Sequence, residues 1–254
     1  MVNDTIDVDL ATTLSEIDTL KARMDALRPL DNASIAEALA IEYTYESNRI
    51  EGNTLTLRET DLVIHKGLTV AGKSMREHLE AINHYEAVLM LRDLVQQAAP
   101  LTEILVKQLH ALVLRSIDRD NAGKYRSVPV SISGSRHIPP QPWQVPKLME
   151  ECFEFYSNNN STMHPVLLAA EMHERVVTIH PFIDGTGRTS RLVMNLILLQ
   201  HGYPIANIPG DTDSRLAYYS ALEQANAGDK MSFHRLIANY VLVSARHWVR
   251  VVGG

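Results

Sequence analysis

The run Leu192-Val193-Met194-Asn195-Leu196-Ile197-Leu198-Leu199 is the feature that most restricts how this chain can fold. At helical pitch it is apolar nearly all round, broken only by Asn195, and such a helix has no face to give to water. It is far shorter than the roughly 20 residues that cross a bilayer. It therefore belongs at the centre of a bundle, and the rest of the chain has to supply the surrounding helices.

Helix punctuation does so along the whole sequence. Leu10, Leu14, Ile17, Met24 and Leu27 lie at helical spacing near residues 10–28, a stripe that packs on the rest of the chain or on a second copy, which would make a homodimer. Asp31 or Asn32 can cap a second helix that runs to about Glu51, where Gly52 is the stop. The capping boxes Thr56-x-x-Glu59 and Ser74-x-x-Glu77 start two more, with Gly67 between them and Pro100 after the second. Thr102 caps a helix carrying Leu105, Leu109 and Val113, a short helix follows Pro146, and Pro165 opens the next. Two last helices follow Asp211–Asp213 and span about Ser232 to Trp248.

Only residues 123–139 read otherwise. Val128, Val130 and Ile132 alternate with Ser131 and Ser133, and Gly134-Ser135 turns the chain before Arg136, which predicts one short β-hairpin. A lone hairpin is marginal in water, so the segment is either a packed surface loop or a free edge for docking. The expected fold is all-α, a single bundle with that hairpin attached.

Composition narrows the partners. Lys and Arg number 24 against 30 Asp and Glu, a net charge of −6, so no general nucleic-acid surface is expected. The one cysteine, Cys152, cannot form an internal disulfide, and the acidic start MVNDTIDVDL lacks a signal-peptide core, which together predict a soluble cytoplasmic protein with no membrane span.

Chemistry concentrates in His180-Pro181-Phe182-Ile183-Asp184-Gly185-Thr186-Gly187-Arg188-Thr189-Ser190-Arg191. Gly185 and Gly187 let a backbone turn aim N–H groups at an anion, and the following helix adds its positive end. Arg188 and Arg191 lie one turn apart on one face, so both guanidinium groups can reach the same ligand, a polyphosphate rather than one phosphate. His180 can act as a base near neutral pH, and Asp184 offers the hard oxygen that Mg²⁺ takes beside phosphates. A Walker A loop is excluded because no Gly-Lys-Ser/Thr follows, and a zincin because Val177 stands where a second histidine is needed.

Twelve residues long, HPFIDGTGRTSR resembles the signature of the Fic (filamentation induced by cAMP) family, His-x-Phe-x-Asp/Glu-Gly-Asn-Gly-Arg-x-x-Arg, with Thr186 in place of the family's Asn. The resemblance implies transfer of AMP from ATP to a hydroxyl of a target protein, self-modification included, with Mg²⁺ or Mn²⁺. His180 would be the general base, Asp184 the metal ligand, Gly185, Thr186 and Gly187 the phosphate loop, Arg188 and Arg191 the phosphate cations, and Tyr218 or Tyr219 would line the base pocket. It implies that Val130, Ser131, Ile132 and Ser133 form a flap that docks the target. Residues 1–55 would hold the N-terminal helices and 56–254 the Fic catalytic core.

Ser47-Asn48-Arg49-Ile50-Glu51-Gly52 matches the family's inhibitory motif, Ser/Thr-x-x-x-Glu-Gly/Asn. Glu51 also stands against the negative end of its own helix, a penalty of a few tenths of a kcal/mol unless it has another partner. The resemblance names Arg191 as that partner. Three other readings stay open: removal of AMP from a modified protein, transfer of a different phosphate-containing group, and nucleotide binding without turnover.

Overall fold

The computed structural model describes residues 8–28 and 33–253, which form ten α-helices and no strand. They are α1 (Val8–Leu27), α2 (Ala33–Ile50), α3 (Leu57–Lys66), α4 (Met75–Gln96), α5 (Glu103–Val113), α6 (Val145–Asn159), α7 (Pro165–Ile179), α8 (Thr186–Gln200), α9 (Thr212–Asn226) and α10 (Lys230–Gly253). The expected cap of α2 at Asp31 or Asn32 lies outside the described residues.

Helix α8 is the central one. Leu192, Val193, Met194, Leu196, Ile197 and Leu198 are all fully buried, and α7, α4 and α5 pack against it. Asn195 fits this apolar position because its amide is used: Nδ2 and Oδ1 bond the Ala206 carbonyl and N–H, at 3.5 and 2.8 Å. The stripe on α1 packs along α10 of the same chain, and one core runs from Leu10 to Val249. No described helix is long and apolar enough to cross a membrane.

Local signals explain the ends. Thr56 and Ser74 each form the reciprocal capping box, and Gly67 closes α3 with φ of 60°. At the end of α2, Gly52 N–H donates to the Arg49 carbonyl (3.0 Å) and Asn53 N–H to that of Asn48 (3.1 Å). This paired pattern places Gly52 in the left-handed region, φ 93°, where a side chain is strained.

Two expectations are corrected. The helix expected after Pro146 begins at Val145, behind a 3₁₀ turn at Pro142–Gln144, and runs 15 residues. The predicted hairpin is not formed. Val130 and Ile132 are half-buried while Ser131 and Ser133 are exposed, and Ser135 N–H closes a turn on the Ile132 carbonyl at 3.1 Å, yet no ladder joins the two arms. Pro129 and Pro139 have no N–H to donate. The carbonyls of Val128 and Pro140 accept instead from the Arg126 guanidinium, at 3.2 and 2.6 Å.

Candidate active site

The loop after α7 begins with a turn that aims the base. His180 caps α7 in the left-handed conformation, φ 49° and ψ 61°, an arrangement histidine tolerates better than most side chains. Its carbonyl accepts from Arg126 Nε at 2.7 Å, and Arg126 N–H donates to the Pro181 carbonyl at 2.9 Å. Arg126 is buried, and its bonds run to carbonyls of this loop and of the 127–140 segment, so it ties the two together. Burial, then the charge of Arg126, holds the His180 pKa below 6.5, partly opposed by the Val177 carbonyl and Glu51.

Gly185 is the N-cap of α8, with φ of 75°, so the next amides open the helix toward the site. Asp184 Oδ1 accepts from the Gly185 N–H at 2.6 Å and from Arg188 Nη2 at 3.2 Å, and Oδ2 accepts from Arg76 Nη2 at 2.5 Å. Burial alone would raise its pKa, but the charges of Arg188 and Arg76 and the Gly185 N–H hold it below 3.8. A metal ion fits such a place: one ionised carboxylate beside a phosphate site is the usual protein share of a Mg²⁺ site, and a cationic guanidinium already rests on it. Asp184 would be the ligand, and Arg76, whose side chain is 56% exposed, has room to swing aside.

Both loop arginines are nearly dry. Arg191 donates from Nε to Ser47 Oγ at 3.0 Å, and from Nη2 to the Ser47 carbonyl at 2.9 Å and to Glu51 Oε1 at 2.7 Å. Its Nη1 is buried and finds no hydrogen-bond partner among the described residues. That orphan donor faces Gly187, where an added Cβ would lie 3.3 Å from Nη1 and 2.5 Å from Glu51 Oε1. A carboxylate thus rests in the cradle that the glycine opens at the positive end of α8.

Sequence reasoning missed a second carboxylate. Glu80 on α4 meets Arg188 Nη1 at 3.3 Å and accepts from Arg76 Nε at 3.1 Å and Asn53 Nδ2 at 3.1 Å. The same Asn53 amide donates to the Glu77 carbonyl at 3.0 Å, and Thr54 donates through N–H and hydroxyl to Glu77 Oε1. The turn that follows Glu51 is therefore bolted to the start of α4. Only the Ser74 capping box hinted at this, by placing Arg76 in the first turn of a helix.

The two tyrosines divide. Tyr218 is buried among His173, Tyr219 and Phe233, with its hydroxyl bonded to His173 Nε2 at 2.9 Å, so its ring presents no open face to a base in this arrangement. His173 is the interior histidine its place on α7 suggests, and burial pushes its pKa down to about 3. Tyr219 is half-exposed and donates to the Ile50 carbonyl at 3.1 Å, which puts it on the C-terminal end of α2. Thr186 is buried, with its hydroxyl 3.4 Å from the Phe182 carbonyl. The turn that follows Val130 to Ser133 is joined to α9 by bonds from Ser135 Oγ and Arg136 N–H to Glu223 and to α7 by His137 Nε2 on the Thr178 carbonyl.

A half-buried histidine, an ionised carboxylate and two buried guanidinium groups stand around a glycine-opened helix N-terminus, a charge pattern suited to an anionic ligand. Residues 100–198 match the Fic/DOC family, and the chain belongs to it. A protein adenylyltransferase Fic of Drosophila ananassae is 37% identical over 91% of this chain and 47% of its own length, so the chain spans about half the length of the curated relatives it matches. Fic-1 of C. elegans, residues 134–508, superposes with a TM-score of 0.82 at 28% identity, over 96% of this chain and 73% of that one. A Fic domain containing signaling protein of Bacteroides thetaiotaomicron reaches 0.85 at 27% identity, over 94% and 98%.

Proposed function

We propose that this chain transfers AMP from ATP to a hydroxyl side chain of a target protein and that Glu51 holds it inactive. The relatives named protein adenylyltransferase Fic support the reaction. The observation that carries the reading is the orphan Arg191 Nη1 beside Gly187, with a carboxylate of the chain itself in the place of a ligand anion.

In this mechanism the target oxygen bonds to the α-phosphorus, the bond from that phosphorus to the β-phosphate oxygen breaks, and pyrophosphate leaves. His180 takes the hydroxyl proton. Its Nδ1 is buried, so Nε2 is the nitrogen that would meet the target. The depressed pKa keeps the ring neutral and able to accept that proton at neutral pH. Arg188 binds the departing phosphates, Arg191 the γ-phosphate, and the amides of Thr186 and Gly187 donate to them, while the Gly185 N–H is held by Asp184 Oδ1 and keeps the turn in shape. A Mg²⁺ or Mn²⁺ ion on Asp184 would neutralise phosphate charge.

Glu51 occupies the guanidinium meant for the γ-phosphate, so ATP would bind with its chain of phosphates out of line for attack. Residues 1–55 act as the regulatory part and 56–254 as the catalytic part. The 130–133 segment docks the target by strand addition, for which its alternating burial and unpaired arms are suited. A cytoplasmic setting agrees with the single, buried Cys152.

The test uses the Glu51→Gly variant with ATP labelled separately at the α- or γ-phosphate. Label retained on protein from the α position alone establishes AMP transfer, visible first as self-modification while wild type stays nearly silent. Equal α-label on variant and wild type across a range of ATP and metal concentrations overturns autoinhibition. Label from the γ position overturns the reaction itself.

A further inference from the structure

His110 lies on α5, outside the loop that carries the chemistry, and is completely buried. Its ring stacks on Phe182 of that loop, with centroids 3.6 Å apart and planes 7° from parallel. Both ring nitrogens are used. Gly123 N–H donates to Nδ1 at 2.9 Å, and Nε2 lies 2.9 Å from the Asp184 carbonyl. An amide N–H can only donate and a carbonyl can only accept, so the two neighbours fix one form of the ring, neutral with its proton on Nε2.

The two partners belong to different parts of the site. Asp184 opens the phosphate loop, and its neighbour Gly185 approaches so closely that an added Cβ would lie 3.4 Å from the His110 ring. Gly123 begins the segment that leads through Arg126 to the target-docking flap. It needs its own close approach: with φ of 72°, a Cβ there would stand 3.0 Å from the Lys107 carbonyl and 3.1 Å from Ala111 Cβ. Two glycines thus bring two backbone segments onto the two edges of one imidazole. No other described side chain bonds to both segments through the two ends of one ring.

We propose that His110 is a positioning residue, a neutral imidazole strut that sets the stem of the docking flap and the phosphate loop at one fixed spacing, so that a docked hydroxyl arrives in line with the α-phosphate. It touches neither ATP nor target and acts through Asp184 and Gly123. The proposal rests on the AMP-transfer reading for its consequence, though not for its geometry. Losing the strut leaves the phosphate cations in place and lets loop and flap drift apart. Misplacement of about 1 Å costs about a hundredfold in rate, so a loss of tenfold or more in transfer is expected with little change in nucleotide affinity.

The experiment combines one measurement on the unaltered protein with two variants. Nitrogen NMR of wild type at neutral pH should show His110 with Nε2 protonated and Nδ1 bare; an imidazolium, or a proton on Nδ1, overturns the proposal whether or not any variant folds. In the Glu51→Gly background, His110→Phe keeps the stack on Phe182 and removes both bonds, while His110→Gln offers one acceptor and one donor on a single amide. The Phe variant should lose at least about tenfold in the rate of AMP transfer at saturating ATP. It should bind a non-hydrolysable ATP analogue within about threefold of its parent, and exchange the amides of Gly185 to Gly187 faster. The Gln variant should recover most of the rate and of the exchange protection. Unchanged rate and exchange in the Phe variant, or a Gln variant no better than Phe, shows that His110 only fills space. If the Glu51→Gly parent transfers no AMP, the functional reading has failed by itself, and the tautomer, the analogue affinity and the amide exchange still decide the strut.

Discussion

Removing the Glu51 side chain leaves a buried cation without its acid. Arg191 is 1% exposed, and Glu51 Oε1 at 2.7 Å is the one carboxylate that bonds to it among the described residues. Breaking a buried pair by deleting one partner costs about 3–5 kcal/mol. Here the figure is smaller, because the Glu51 side chain is 32% exposed and the Ser47 hydroxyl and carbonyl stay on the guanidinium. We take about 1–3 kcal/mol. For a chain of this size each kcal/mol moves the melting temperature about 2–4 °C, so nucleotide-free Glu51→Gly should melt about 2–12 °C below wild type. Bound phosphate then replaces the lost carboxylate. ATP with Mg²⁺ at a hundred times the variant's Kd adds about 2.7 kcal/mol to the variant, and at that same concentration wild type, whose Arg191 is already paired with Glu51, should shift less. Scanning calorimetry of wild type, Glu51→Gly and Glu51→Gln, each with and without nucleotide, reads all of this. Glu51→Gln separates charge from volume and should behave like the glycine variant. Identical nucleotide-free melting in the three proteins would refute the argument that Glu51 is the counterion of Arg191.

Three further outcomes are expected. His180→Ala should bind ATP nearly as well as its parent and transfer no AMP, because the ring moves a proton and holds no phosphate; binding by calorimetry and labelling with α-labelled ATP check it. Thr186→Asn, in the Glu51→Gly background, should raise the rate at saturating ATP, since an amide bonded to a charged phosphate is worth about 1.5–3 kcal/mol; a loss would show that the buried Thr186 is fitted to its place beside the Phe182 carbonyl. Acid should destabilise the fold from pH 6.5 downward, because His110 and His173 titrate near 6.5 when unfolded and at about 4 and about 3 when folded. The unfolded chain binds more protons in that window, so stability is full above 6.5 and falls with pH, by up to about 1.4 kcal/mol per pH unit for each ring. Melting temperatures between about pH 7.5 and 4.5 read the slope, and a flat profile contradicts the buried neutral rings.

Local chemistry is what the sequence made legible. Thr56 with Glu59, Ser74 with Glu77 and Gly67 mark helix ends because a cap is decided within a few residues, and α3 and α4 start and α3 stops where these residues stand. Gly185, Gly187, Arg188 and Arg191 lie within one turn and one helix, so their nearness needs no tertiary contact, while their partners, Asp184 and Glu80 for Arg188 and Ser47 and Glu51 for Arg191, differ. The Glu51 pairing needed more: its place against the helix dipole said only that a partner was wanted, and the motif at Ser47–Gly52 supplied Arg191 by resemblance. Arg76, Glu80 and His110 stayed out of reach. Arg76 meets Asp184 across 108 positions of sequence and His110 meets it across 74, and no local pattern encodes which face of α4 or α5 turns to the loop. The alternation over 128–133 predicts a hairpin that is not formed: Val128 is exposed, only 130–133 alternate in burial, and alternation does not say which backbone groups pair.

Glu80 binds Arg188 at the start of α8 with one oxygen and Asn53, just past α2, with the other. Helix α2 is therefore not an interchangeable cassette. A chimera that received residues 33–52 from another protein would keep or lose Glu51, but it would also have to rebuild the seat of Asn53 on Glu80 and of Thr54 on Glu77, or the graft would disturb Arg188, which it was meant to leave alone. For anyone engineering control into this scaffold, the unit of exchange is the helix together with the first turns of α4.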